Sequence, residues 1–139
     1  AREDLLGVLK EIHMKQNEFV PFPEAREFLV SLREMGLYII IASLRHEEAR
    51  VATERWLKQY DLPYDELHLS DDKTVLFSDA WAIVDDSTWT LNRAVEAGIV
   101  RTGLVNAWNA NKGHPLFASL QEVLEYLQSQ CICLKNSDE

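Results

Sequence analysis

The chain has 139 residues, of which 47% are hydrophobic and 27% are charged, the size and composition of one globular domain with its own core. Its formal net charge of −9 argues against a general nucleic-acid-binding surface, because such a surface needs clustered Lys and Arg. We expect no membrane span, since no apolar run approaches ~20 residues, and no signal peptide, since the first residues are charged. Cys131 and Cys133 are interpreted as reduced thiols, and cytoplasm is the expected location.

The first half of the chain predicts a helix, a buried strand, a second helix and a short strand. Pro23 suits the first turn of a helix, the apolar residues after it recur at spacings of three and four, and Gly36 marks its end. Residues 37–42 are a continuous apolar and β-branched run, typical of a strand covered on both faces of a parallel sheet. A helix over residues 47–60 and a strand over residues 66–69 follow.

The second half alternates in the same way. Residues 79–84 predict a strand, and Ser87 or Thr88 can cap the helix that follows and stops near Gly98. Residues 101–105 predict a fifth strand, residues 116–130 a last helix and residues 135–139 a polar tail. This alternation predicts one α/β domain over residues 1–134, a three-layer, Rossmann-like parallel sheet with helices on both faces. No strand is evident before Pro23.

Polar residues follow three of these elements at the predicted carboxyl edge, where ligands of parallel α/β sheets bind. The Ser43 hydroxyl either donates to a phosphoryl oxygen or caps the next helix. Lys73, in the loop after residue 69, either neutralises a phosphate or is simply solvated. Asp85 and Asp86 repel each other directly after a buried strand, so they require a compensating cation, and their hard oxygens suit Mg²⁺. The forked guanidinium of Arg45 is a further candidate for phosphate oxygens.

A Ser after one strand, a Lys in a loop and an acidic pair after a later strand resemble, in that order, the haloacid-dehalogenase-like (HAD) phosphohydrolase superfamily. The resemblance covers residues 22–126, and its segments are Ala42-Ser43-Leu44-Arg45, Asp72-Lys73-Thr74-Val75-Leu76-Phe77-Ser78-Asp79, Ile83-Val84-Asp85-Asp86-Ser87 and Asn106-Ala107-Trp108-Asn109. The lysine segment and the last segment are similar to the 5′(3′)-deoxyribonucleotidase branch.

The resemblance implies a Mg²⁺-dependent phosphatase or nucleotidase with little or no cap domain, acting on phosphate monoesters through an aspartyl-phosphate. Its ligand would be a phosphorylated small molecule or a nucleotide. Ser43, Arg45 and Lys73 would bind the phosphoryl group, with Ser43 and Lys73 taking part in catalysis. Asp85 would hold Mg²⁺ with Asp86 in support.

The nucleophile is the incomplete part of this resemblance. In the superfamily it is the first Asp of an Asp-x-Asp-Gly-Thr/Val motif after a central apolar strand, and this chain contains no Asp-x-Asp. The nearest match is Asp4-Leu5-Leu6-Gly7-Val8-Leu9, in which Asp4 would attack and contribute to the Mg²⁺ site while Leu6 replaces the general acid and base. The competing interpretation is an N-terminal helix that begins at Asp4.

Three explanations of this motif stay open at the level of sequence. The domain is catalytically impaired but retains phosphate and Mg²⁺ binding, or its first strand and nucleophile lie upstream of Ala1, or Asp4 acts with a substitute for the missing acid. The alternative function is an inactive, HAD-like phosphate-binding or protein-interaction domain.

Overall fold

Parallel strands and helices alternate along the chain in a computed structural model that describes residues 5–10, 24–43, 47–70 and 73–137. The strands are β1 (Leu5–Lys10), β2 (Tyr38–Ser43), β3 (Glu66–Leu69), β4 (Ala82–Val84), β5 (Val100–Leu104) and β6 (Leu116–Phe117). The helices are α1 (Ala25–Glu34), α2 (Arg50–Gln59), α3 (Thr88–Ala97) and α4 (Leu120–Ser137), and two short 3-10 helices span Glu47–Ala49 and Lys73–Leu76.

The strands are ordered β3-β2-β1-β4-β5-β6, and every neighbouring pair is parallel. The predicted parallel α/β architecture is therefore confirmed. The order reverses its direction between β3 and β4, because β2 and β3 extend to one side of β1 while β4 to β6 extend to the other. In open parallel sheets such a reversal lies next to the ligand-binding crevice.

Side-chain alternation along the strands separates two hydrophobic clusters. Ala82 and Val84 pack in the first cluster, whereas Ile83 between them packs in the second. Because successive strand residues point to opposite faces, the two clusters lie on opposite faces of the sheet. The first contains buried residues of α1, α2 and α4, and the second contains Ala94 of α3 and Phe77 after the second 3-10 helix.

The predicted helix caps of α3 are present. Ser87 is its N-cap and accepts a hydrogen bond from the backbone N–H of Thr90 at 3.4 Å. Gly98 ends the helix with a φ of 73°, in the left-handed region that glycine adopts without a steric penalty. The acidic pair and the start of α3 are thus joined by a short, well-defined turn.

The strand β1 was not expected from the sequence. Residues 5–10 pair with β2 on one side and with β4 on the other, at the centre of the strand order. The competing interpretation of an N-terminal helix is therefore wrong for these residues. Backbone pairing with a strand on each side satisfies polar groups of β1 that a helix would otherwise satisfy, and this tertiary pairing overrides the helical spacing of the leucines.

The end of the chain also differs from the prediction. Residues 116–117 form β6 rather than the start of a helix, and α4 continues to Ser137, through the first residues of the expected polar tail. The buried residues Leu120, Val123, Leu124 and Leu127 place one side of α4 on the first cluster. None of the helices in the described part of the chain is long and apolar enough to cross a bilayer.

Candidate functional site

The carboxyl ends of β2, β1 and β4 lie side by side at one edge of the sheet. Ser43 is the last residue of β2, and Asp85 directly follows the last residue of β4. Residue 10 of β1 pairs with residue 42, and residue 9 pairs with residue 84, so Ser43 and Asp85 differ by one residue in height along the strands. Only β1 separates them, which corresponds to two inter-strand spacings, or about 10 Å. The structure therefore brings these two candidate residues together.

The carboxylate of Asp85 is buried and held by its own loop. Asp85 is 3% exposed, and its Oδ1 accepts hydrogen bonds from the backbone N–H of Asp86 at 2.7 Å and of Ser87 at 2.9 Å. Its backbone N–H donates to the carbonyl of Thr102 at 3.0 Å. N–H groups that donate to a carboxylate stabilise its charged form. The backbone N–H groups of Asp86 and Ser87 therefore offset part of the negative charge for which the sequence predicted a cation.

The neighbouring strand approaches this loop so closely that only glycine fits. A Cβ placed on Gly103 of β5 would lie 1.9 Å from the carbonyl oxygen of Asp85. No side chain tolerates such a contact with a backbone atom. Gly103 therefore sets how far β5 lies from the loop that contains Asp85 and Asp86, which we call the acidic loop.

The loop after β5 is fastened to the acidic loop by Asn109, whose side chain is fully buried. Its Nδ2 donates to the carbonyl oxygens of Asp86 at 3.1 Å and of Leu104 at 3.0 Å. Its Oδ1 accepts from the backbone N–H of Asn106 at 2.7 Å. The side chain of Asn106 in turn accepts from the backbone N–H groups of Trp108 and Asn109. Every polar atom of the Asn109 amide is thus bonded to the backbone.

Sequence reasoning missed this role of Asn109. Two asparagines three residues apart after a strand are a signal for a turn, because their side chains bond to nearby backbone N–H groups. The contact with Asp86 joins residues 23 positions apart, and no local pattern encodes it.

Lys73 begins a 3-10 helix instead of lying in the expected loop. The chain leaves β3 at the carboxyl edge, where the backbone N–H of Ser70 donates to the carbonyl of Ser43 at 3.1 Å. The 3-10 helix then contacts β1 and α3, and Phe77 after it packs against Ala42 and Ile83 in the second cluster. The 3-10 helix that begins at Lys73 therefore lies beside β1, the strand that separates Ser43 from Asp85.

Asp4 and Arg45, the two remaining candidates, lie outside the described residues. Residues 5–10 are themselves the strand, so in sequence Asp4 precedes β1, whereas the superfamily's nucleophile follows its strand. The strand ends at Lys10.

The described ranges contain no group of three or more His, Cys, Asp or Glu side chains that could hold a metal ion. Asp85 and Asp86 are two adjacent carboxylates, and Asp86 is half-buried beside the fully buried Asp85. A cation at this edge would need further oxygen ligands from water, from the substrate or from residues outside those ranges.

His114, ahead of β6, lies between β5 and α3. Its Nδ1 accepts a hydrogen bond from Nε of Arg101 at 2.6 Å, and its Nε2 lies 2.8 Å from Oδ1 of Asn92. The ring therefore carries its proton on Nε2 and is neutral. Burial, and then the positive charge of Arg101, lower the pKa of His114 from its ordinary value of 6.5.

We expect this histidine to make the protein less stable in mild acid. Because the folded state has the lower pKa, the unfolded chain binds a proton that the folded state resists, so the free energy of unfolding falls as the pH drops below about 6.5. Above that value the contribution of His114 is constant. Denaturant unfolding at a series of pH values, with His114→Gln as the reference, measures this difference, and an NMR titration that places His114 at or above its ordinary pKa would contradict it.

No protein-family model matches the chain, and no curated protein is significantly similar to it. What the chain does must therefore be argued from the geometry of the carboxyl edge and from the order of its motifs.

Proposed function

We propose that this chain is a HAD-like domain that binds a phosphate monoester together with Mg²⁺ at the carboxyl edge of its sheet. The observation that supports the proposal is the placement of Ser43 and Asp85 at the carboxyl ends of the two strands that flank β1, one residue apart in height. The 3-10 helix that begins at Lys73 contacts the same strand. The order of Ser43, Lys73 and the acidic pair along the chain, which resembles that of the superfamily, supports the same proposal.

The finer features of the fold support the same proposal. Two hydrophobic clusters on opposite faces agree with a three-layer HAD-like domain. Residues 44–46 are all that separates β2 from the next 3-10 helix, and residues 11–24 separate β1 from α1. Neither connection has room for a large cap domain, so the proposed site is open.

The carboxylate oxygens of the acidic loop are of the kind that a magnesium ion prefers as ligands. Mg²⁺ prefers hard oxygen ligands and keeps several waters, so one or two carboxylates are enough protein ligands when a phosphate supplies others. When bound, the ion would neutralise phosphate charge and polarise the phosphoryl group. Asp85 would hold it through a carboxylate that two backbone N–H groups already orient, with Asp86 in support.

The phosphoryl group would lie between the two flanking strands. The Ser43 hydroxyl would donate to one of its oxygens, and Lys73 would balance its charge, with Arg45 as a second cation. The backbone of β2 fixes Ser43, which is buried, so the hydroxyl would be positioned before the ligand arrives.

Binding without turnover is better supported than hydrolysis. The strand β1 occupies the central position, yet Leu5–Lys10 contains no Asp, and none follows in the chain until Asp61. An aspartyl-phosphate needs a carboxylate just beyond that strand. We therefore place the inactive phosphate-binding domain before the phosphatase or nucleotidase, in which Asp4 would have to attack from a position ahead of β1.

The proposal is tested by Asp85→Asn against the matched control Asp79→Asn. The amide keeps the oxygen that accepts from Asp86 and Ser87 but loses the negative charge, so Mg²⁺ affinity should fall roughly tenfold or more. Asp79 is an exposed carboxylate ahead of the same strand, at its other end, and its replacement should change nothing. Calorimetry with MgCl₂ and inorganic phosphate, and thermal unfolding with and without Mg²⁺, measure the effect.

Hydrolysis of an aryl phosphate by the wild-type chain separates the two functions. Mg²⁺ and phosphate binding without hydrolysis is the expected result. Turnover that needs Mg²⁺ and is lost in Asp4→Asn would establish the enzyme instead. A wild-type chain that binds neither ion nor phosphate at millimolar concentration would refute the site itself.

A further inference from the structure

A small set of side-chain hydrogen bonds holds the end of the connection between β5 and β6. The Nε of Arg101 in β5 donates to Nδ1 of His114 at 2.6 Å, and its Nη2 donates to the carbonyl of Gly113 at 3.2 Å. The Nε2 of His114 lies 2.8 Å from Oδ1 of Asn92 in α3. This end of the connection is therefore bound to the sheet and to a helix at the same time.

The imidazole ring of His114 is the group in these bonds that titrates near neutral pH. Arg101 stays charged and Asn92 stays uncharged across the physiological range. Nδ1 accepts the hydrogen bond from Arg101 only while it carries no proton. Proton uptake at Nδ1 would set two N–H groups against each other and place a second positive charge beside the guanidinium. The contact between Arg101 and His114 therefore requires the neutral ring.

The charged groups around the ring oppose its protonation. From β5 it faces Arg101, whose positive charge adds to the effect of burial in lowering the pKa of His114. From α3 it faces a neutral amide, and the nearby carboxylate of Glu96 is bound by Arg93 at 2.7 Å. Within residues 105–115 the other charged residue is Lys112, which is also positive.

The strand that follows has few contacts of its own. β6 has two residues, both only partly buried, and it lies at the end of the strand order beside β5. The N–H of Val105 donates to the carbonyl of Phe117 at 2.8 Å, and the Phe117 ring lies 5.5 Å from that of Tyr126 in α4. A two-residue edge strand has little pairing energy, so its position depends on how the residues before it are held.

We propose that His114 is an acid-sensitive latch, whose protonation releases the end of the connection from β5 and α3 and lets β6 leave the edge of the sheet. This goes beyond a loss of overall stability in acid, because the other strands stay paired while the latch is open. The start of the connection stays in place, since the bond from the Asn109 amide to Asp86 involves no group that titrates in this range.

Amide hydrogen exchange, measured by NMR at about pH 7.5 and about pH 5.5, tests the latch. The N–H of Val105 reports on β6, and the N–H of Leu62, which donates to the carbonyl of Leu57 at 3.0 Å ahead of the opposite edge strand, reports on the rest of the fold. Each rate is corrected for the intrinsic exchange rate at that pH, and each series is repeated at low urea concentrations.

We expect Val105 to be less protected than Leu62 and to respond little to urea, because a local opening exposes little surface. Its protection should fall by up to about tenfold at the lower pH. That is the limit for one histidine, with its ordinary pKa of 6.5, that binds its proton only in the open state.

Three substitutions separate the charge of the ring from its packing. His114→Gln keeps a donor and an acceptor but does not titrate, so the protection of Val105 should no longer depend on pH. Asn92→Asp places a carboxylate at Nε2, which favours the protonated ring, and should make the fall smaller than in the wild-type chain. His68→Gln, in β3 at the opposite edge, is the matched control and should leave the fall unchanged.

The latch is refuted if Val105 and Leu62 show the same protection and the same urea dependence, because β6 would then open only with the whole fold. It is refuted as well if the acid response persists in His114→Gln, or if Asn92→Asp fails to reduce it. The measurement uses neither Mg²⁺ nor phosphate, so its outcome is independent of the proposed function.

Discussion

Gly103→Ala is expected to lower the free energy of unfolding by about 3 kcal/mol, the upper part of the range for overpacked positions. The added methyl group would lie 1.9 Å from the carbonyl oxygen and 2.9 Å from the carbonyl carbon of Asp85. Both contacts are with backbone, which cannot rotate away as a side chain does. β5 also pairs with β6 through Gly103, so a shift of the strand would disturb a second ladder.

The same substitution should weaken Mg²⁺ binding, because the displaced loop carries the proposed ligand. Relief of the clash moves the carbonyl of Asp85 away from β5 and thereby tilts the carboxylate held by Asp86 and Ser87. Chemical denaturation measures the loss of stability, and calorimetry with MgCl₂ measures the loss of affinity.

Gly98→Ala is the matched control for this prediction. A Cβ on Gly98 meets no atom within 4 Å, but the residue has a φ of 73°, so alanine there costs about 1–2 kcal/mol of backbone strain and no contact. It should lower stability less than Gly103→Ala and leave Mg²⁺ affinity unchanged. Equal stability losses for the two variants, or no loss at Gly103, would contradict the close approach of β5 to the acidic loop.

The parts of the fold that the sequence predicts are those with a local signal. The apolar run at residues 37–42 reads as a buried strand because both of its faces are covered, and it forms β2. The capping residue Ser87 and the terminal Gly98 bound α3 as predicted, because each acts on its own helix end.

The parts that the sequence does not predict depend on distant partners. Leu5–Lys10 has leucines at helical spacing and becomes a strand only because β2 and β4 pair with it on both sides. The close approach at Gly103 and the bonds of Asn109 each involve a backbone group about 20 residues away in the chain. The sequence contains the residues that make these contacts, but it gives no local signal of which distant residues they contact.

The candidate site likewise has one part that the sequence predicts and one part that it does not. Ser43 ends β2 and Asp85 follows β4, the two strands on either side of β1, so strand polarity alone brings them to one edge once the strand order is known. The nucleophile has no such constraint, because Asp4 precedes β1 in the sequence, and its assignment stays a prediction. Phosphate binding is therefore a stronger proposal than phosphate transfer, since Ser43 and Asp85 are placed by the sheet and the nucleophile is not.

Asn109→Asp is expected to lower the free energy of unfolding by about 4 kcal/mol at neutral pH, because it turns two hydrogen bonds into two repulsions. The amide nitrogen that donates to Asp86 and Leu104 becomes a carboxylate oxygen facing two carbonyl oxygens at about 3 Å, in a position with no exposure to solvent. Protonation of the new carboxyl group would restore one donor, so the loss should be smaller at about pH 4 than at about pH 7.

The matched control is Asn106→Asp in the same loop. The side chain of Asn106 accepts from the backbone N–H groups of Trp108 and Asn109 through its oxygen, and a carboxylate accepts equally well. Its substitution should change stability by no more than about 0.5 kcal/mol. Denaturant unfolding of both variants at the two pH values is the measurement. Because Asn109 holds the carbonyl of Asp86, only Asn109→Asp should also reduce Mg²⁺ affinity, and equal behaviour of the two variants would show that Asn109 does not join the acidic loop to β5.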